Sequence, residues 1–75
     1  MKRKRIKSST LLSAGYDADH ETLELEFTSG DVYQYFNVPD FHYLGLLSAS
    51  SHGEYFNNYI KDQFLYVNIY KKVAS

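Results

Sequence analysis

Between Thr22 and Phe27 apolar and polar residues alternate without a break. Leu23, Leu25 and Phe27 share one parity, and Glu24 and Glu26 share the other. A period of two residues is the mark of a half-buried strand, with one face dry and one wet. The same period, less regular, runs through Leu11 to Tyr16, where Leu12, Ala14 and Tyr16 share a face. It returns in Val32 to Val38 and again in Gln63 to Tyr70, where Leu65, Val67 and Ile69 alternate with Phe64, Tyr66 and Tyr70. These runs are rich in β-branched and aromatic residues, which suit a pleated surface. Asp17-Ala18-Asp19-His20 and Ser29-Gly30 separate the first three strands with turn chemistry. They therefore form an antiparallel meander.

The hairpin at Ser29-Gly30 admits two registers. A two-residue loop sets Phe27 opposite Val32 and Leu23 opposite Phe36, which leaves Tyr33 and Tyr35 on the wetter face beside Glu26 and Glu24. A three-residue loop with a bulge sets Leu25 opposite Tyr33 and turns the tyrosines inward. One residue of slip exchanges the faces. The two-residue loop is the expectation.

The period changes after Val38. Pro39 suits the first position of a helix, and Asp40 suits the positive end of its dipole. Phe41, Leu44 and Leu47 then fall at helical spacing, with Tyr43 and Leu46 widening the stripe as far as about Ala49. Gly45 inside this helix costs about 1 kcal/mol relative to Ala. Ser51-His52-Gly53-Glu54 fits a capping box, with Ser51 as cap and Glu54 three residues on. Tyr55, Phe56, Tyr59 and Ile60 continue it as one stripe to about Lys61. The expected fold is α+β, in the order βββααβ: an antiparallel sheet of three to four strands packed with two short helices. The last strand lies at the sheet edge, where Lys71 and Lys72 act as charged protection.

Composition narrows this picture. A chain of 75 residues makes one domain with a small core. It has no cysteine, so neither a disulfide nor a thiolate metal site supports it. Eight Tyr and five Phe must supply much of the buried area. Lys2, Arg3, Lys4, Arg5 and Lys7 place five of the eight basic residues in the first seven positions, and the other 68 residues carry a net −6. Residues 1–9 are therefore expected to form a flexible basic arm, and residues 10–75 the domain. The apolar run after the arm is only Leu11-Leu12, too short for a secretory signal, and nothing approaches the length of a membrane span. A cytoplasmic protein with no membrane partner is expected.

Several fragments, in order, resemble the KTSC domain, a small domain named for its place at the C-terminus of some lysyl-tRNA synthetases. They are Gly15-Tyr16-Asp17, Leu23 to Phe27, Gly30, Tyr33, Tyr35, Val38-Pro39, Tyr43-Leu44, Ser51, Gly53, Tyr55-Phe56-Asn57 and Ile60. The resemblance covers residues 8–61. It implies an accessory module or a small stand-alone protein of bacteria or their phages, and it carries no catalytic residues to transfer.

No residue pattern argues for catalysis. Ser51 next to His52 is a cap beside its neighbour, not a nucleophile elbow. His20, His42 and His52 lack the spacing of metal ligands, so no metal and no cofactor is expected. Glu24 and Glu26 read as a solvated face. Gly30 and Gly53 read as turn and packing glycines. The tyrosines hold the ambiguity: Tyr33 and Tyr35 on a sheet face resemble a base-stacking platform, although a small core needs aromatics too. The candidate binding residues are Tyr33, Tyr35, His52, Tyr55, Asn57, Tyr66, Lys2, Arg3, Lys4 and Arg5. Gly30, Pro39, Ser51, Gly53 and Glu54 are candidate structural residues. The expected function is a non-enzymatic module for protein–protein interaction or self-association, on a host complex or on its own oligomer. The alternatives are an RNA-associated module working through its basic arm, and sequestration of a small ligand in an aromatic pocket.

Overall fold

The computed structural model describes residues 1–73. Five antiparallel strands form one sheet in sequence order: β1 (Lys4–Arg5), β2 (Leu11–Asp17), β3 (Thr22–Phe27), β4 (Val32–Tyr35) and β5 (Tyr66–Tyr70). Between β4 and β5 the chain makes α1 (Asp40–Ser48), a single α-turn α2 (His52–Tyr55) and a π-helical turn over Phe56–Ile60. The α+β class and the meander stand as expected. The strand count does not, because residues 1–9 hold an additional strand instead of a free arm. Lys4 pairs with Ala14 and Arg5 with Ser13, and Ile6 N–H donates to Leu12 O at 3.0 Å. A run of like charges reads as solvated, but here it pairs with β2, and Arg3 reaches across to the acids of β3.

The β3–β4 hairpin takes the three-residue loop, which corrects the two-residue expectation. Phe27 N–H donates to Asp31 O at 2.9 Å, and Gly30 N–H to Phe27 O at 2.8 Å. Gly30 sits at φ +97°, where a side chain would be strained. Leu23 therefore pairs with Tyr35 and Leu25 with Tyr33, and both tyrosines turn toward the helices. Glu24 and Gln34 fall on the outer face.

A second irregularity moves the core by one residue. The pairing of β2 with β3 shifts between Leu11 and Ser13. The bulge puts Leu11, not Leu12, in the core beside Ala14. Leu11, Ala14, Leu23, Leu25, Tyr35, Val38, Leu46, Phe56 and Ile60 make that core.

The buried face of α1 is also rotated from the expected stripe. Leu46 is fully buried and Tyr43 and Leu47 pack beside it, whereas Phe41 and Leu44 are about 60% exposed. Pro39 serves as the residue before the helix, with ψ 149°, and not as its first turn. Gly45 has a specific cause: the Tyr55 ring lies where its Cβ would be. Ser51 Oγ accepts from Glu54 N–H at 3.2 Å, which is half of the capping box. Past Tyr55 the single expected helix widens, and Lys61 N–H reaches Phe56 O at 2.8 Å.

Candidate functional site: an aromatic groove and an acidic outer face

The inward register of β4 creates a hollow lined by aromatic rings. Tyr33 and Tyr35 stand two residues apart on one strand face, and Tyr66 of β5 leans over both. Ring centroids are 5.5 Å apart for Tyr33–Tyr66, 5.6 Å for Tyr35–Tyr66 and 6.3 Å for Tyr33–Tyr35. Phe27 meets Tyr33 edge-on at 5.6 Å, and Phe56 bridges Phe27 and Tyr35 at 5.2 and 5.8 Å. Such offset and edge-on pairs suit the ring quadrupoles. The rings floor a groove of about 450 Å³ that is open to solvent. Thr10, Thr28, Ser29, Asp31, Lys61 and Asp62 complete its lining.

Depth grades the floor. Tyr35 is buried and Tyr66 half exposed. Burial, with smaller contributions from Tyr33, Tyr66 and Asp62, pushes the Tyr35 hydroxyl well above its ordinary titration range. The groove therefore presents the neutral phenol of Tyr35, apolar ring faces and a lining with two acids and one base. Asp62 takes a left-handed backbone conformation, φ +64°, as it turns the chain into β5. Asp31 Oδ1 accepts from Lys72 N–H at 3.0 Å, which ties down the end of β5.

Of the candidate binding residues, the fold brings Tyr33, Tyr35 and Tyr66 together and scatters the rest. His52 Nδ1–H donates to Leu46 O at 2.7 Å and so joins the two helices. Asn57 lies with His52, Ser51, Gly53 and Glu54 around a shallow polar hollow that also takes Lys7 and Ser8. Gly53 faces Thr10 there. The Tyr55 hydroxyl lies 3.1 Å from His42 Nδ1, and burial holds His42 below its ordinary titration range.

The arm residues divide. Lys2, Lys4 and Arg5 are exposed. Arg3 is committed to the outer face of the sheet, where its guanidinium meets Glu24, its Nε–H donates to Ser13 Oγ at 2.9 Å, and Glu26 lies 4.0 Å away. Gln34 Nε2–H donates to the other oxygen of Glu24 at 2.9 Å, and Ser13 Oγ–H to Glu26 at 2.8 Å. Glu24, expected on a solvated face, is buried under this network. Each oxygen of its carboxylate meets a donor, as a buried charge requires.

The sequence pattern places Phe27 and Phe56 in the core and does not mark Lys61, Asp62, Asp31 or Thr10. No local signal distinguishes them. They meet only once the β4 register and the path of the π-turn are set. Among the described residues, no three His, Asp or Glu side chains converge as metal ligands. No helix among them is long and apolar enough to cross a membrane.

Comparison with known proteins places this geometry in a family. The KTSC domain family model matches residues 7–64. An uncharacterized protein of Stutzerimonas stutzeri is 46% identical over 63 residues, covering 84% of this chain and 89% of that protein. The lysine–tRNA ligase of Nostoc punctiforme is 40% identical over 58 residues, which span 77% of this chain but 10% of the ligase. The crystal structure of a KTSC domain protein from Yersinia pestis superposes with a TM-score of 0.89 at 40% identity, covering 91% of this chain and 96% of that one.

Proposed function

The chain belongs to the KTSC domain family, and from that premise we propose that it is a non-enzymatic protein-binding module of the bacterial or phage cytoplasm. Its groove takes an apolar or aromatic side chain of a protein partner. One observation carries this reading: five aromatic rings floor a solvent-open groove of about 450 Å³ in a domain of 75 residues. A small core gains stability by covering its rings. A half-exposed Tyr66 over a floor of packed rings, with polar groups beside it, is the composition of an anchor pocket at a protein interface. Asp31 and Asp62 against Lys61 favour a partner segment with Lys or Arg beside its apolar anchor.

The test is selection of random peptides on the immobilised protein, followed by calorimetry of the enriched peptides. The expected result is enrichment of aromatic or Leu anchors flanked by basic residues, with affinity falling about tenfold or more for Tyr66→Ala. Absence of enrichment, or binding indifferent to Tyr66→Ala, refutes the groove reading.

The lysine–tRNA ligases among the relatives favour a second reading, association with RNA. Tyr33 and Tyr66 would then stack bases, and the free cations would meet phosphates. Arg3 is engaged with Glu24, so the arm cations open to a partner are Lys2, Lys4, Arg5 and Lys7. A mobility-shift titration at two salt concentrations separates the readings, comparing the parent with a variant carrying Ser at those four positions. If the arm binds RNA, the variant's salt slope is shallower by about 0.7–0.9 for each phosphate that the arm no longer neutralises. No shift at low salt eliminates the RNA reading.

A further inference from the structure

We propose that β5 pairs antiparallel with β5 of a second copy of the chain, joining two five-stranded sheets about a two-fold axis at Val67. β5 is the last strand of the sheet and has β4 on one side only. Phe36 N–H donates to Leu65 O at 2.9 Å, and Val67 pairs with Gln34. Leu65 and Val67 therefore direct their backbone groups at β4. Alternation leaves those of Tyr66 and Asn68 directed outward. The pairing shifts after Asn68, where Ile69 is the extra residue of a bulge, and this ends the regular stretch.

Two outward residues, two positions apart, are self-complementary. With the axis at Val67, Tyr66 faces Asn68 of the partner subunit, and Asn68 faces Tyr66 of the partner subunit. Every outward group on both copies then finds a partner. Side chains follow the same symmetry. Leu65, Val67 and Ile69 are 78%, 46% and 48% exposed and belong to the outer side of β5. In this register Val67 meets Val67 of the partner subunit. Apolar cross-strand pairs of this kind stabilise a ladder. The strand carries no charge. An isologous contact needs a patch that matches itself, and this one does in hydrogen bonding and in its uncharged, apolar side chains. A charged strand would meet its own like charges across the axis; this uncharged strand with exposed Val67 does not, so the occupant is a second copy. The interface is small, so the dimer is weak and forms in the micromolar range.

The inference does not rest on the groove, because the Tyr66 ring lies on the opposite face of β5 from Val67. The test uses the full chain, first by sedimentation velocity over a wide concentration range. The expected result is a reversible dimer that Val67→Lys converts to monomer at all concentrations. The chain has no cysteine, so single cysteines report the register without background. Val67→Cys brings two thiols together at a closely spaced pair, within disulfide reach. Asn68→Cys places them diagonally and too far apart. Val67→Cys should oxidise to a covalent dimer several-fold faster than Asn68→Cys, and this comparison stands even if Val67→Lys fails to fold. A parent that stays monomeric, a folded Val67→Lys variant that still dimerises, or equal cross-linking of the two cysteine variants overturns the proposal.

Discussion

Replacing Arg3 by Ala is the most informative perturbation of this fold, because it separates a docked first strand from a free basic arm. Arg3 supplies one donor to Ser13 and the charged partner of Glu24. The Glu24 side chain is 8% exposed and that of Arg3 29%. After Arg3→Ala, one oxygen of Glu24 keeps Gln34 and the other faces no donor. An unpartnered buried polar group costs about 1–3 kcal/mol, and more if charged. The part-exposed guanidinium is screened by solvent, so the charge contribution is discounted. Adding about 0.5–1 kcal/mol for the Ser13 bond gives an expected loss of about 1.5–4 kcal/mol. That is a large share of the roughly 4–11 kcal/mol expected of a 75-residue domain. Equilibrium unfolding in urea reads it directly. With a slope of about 1 kcal/mol per molar, the midpoint falls by about 1.5–4 M. Lys4→Ala and Arg5→Ala, both exposed, should stay within about 0.5 kcal/mol of the parent. In a Glu24→Gln background the effect of Arg3→Ala should drop below about 1 kcal/mol, because no buried charge is left behind. An Arg3→Ala midpoint equal to that of Lys4→Ala would show that β1 is not held by Glu24, and the reasoning fails. The free-arm expectation predicts that equality. Removal of residues 1–7 follows the same logic and lowers stability by at least as much as Arg3→Ala.

Ser51→Ala should cost about 1 kcal/mol of stability, since Glu54 N–H loses its acceptor, and should leave the groove's affinity unchanged; an unshifted urea midpoint contradicts this. Gly45→Ala should destabilise by about 1 kcal/mol even though Ala favours helix, because the new Cβ meets the Tyr55 ring and overpacking outweighs propensity. Introducing Tyr55→Leu as well should reverse the sign, and a stabilised Gly45→Ala single variant would refute the contact. Burial holds the folded-state pKa of His42 below its ordinary value near 6.5. The unfolded chain then binds the proton more readily, so this contribution is full above that value and is lost as pH falls through and below it. Unfolding midpoints against pH, for the parent and His42→Gln, should converge on acidification. His20, raised by its bond to Asp17, contributes with the opposite sign, and His20→Ala subtracts it.

Much of this protein is written locally. The alternation in Thr22–Phe27, the turn residues at Asp17–His20 and Ser29–Gly30, the break at Pro39 and the cap at Ser51 each act over a few neighbouring residues. Propensity and periodicity report such features without a fold. The α+β class, the two helices and the final strand were therefore legible. Three of the groove's tyrosines were legible as candidates, but their meeting point was not. What remained depends on distant partners. The hairpin register turns on one residue of loop length, and packing of Tyr35 under Phe56 favours the three-residue loop, which costs little because Gly30 accepts positive φ. The bulge at Leu12 and the rotated face of α1 answer to shapes presented by other elements. The first strand was hidden because five cations in seven residues satisfy every local criterion for a solvated arm. Only the folded sheet assembles Glu24, Glu26 and Ser13 on one face, and only there does an arginine gain more from docking than from water.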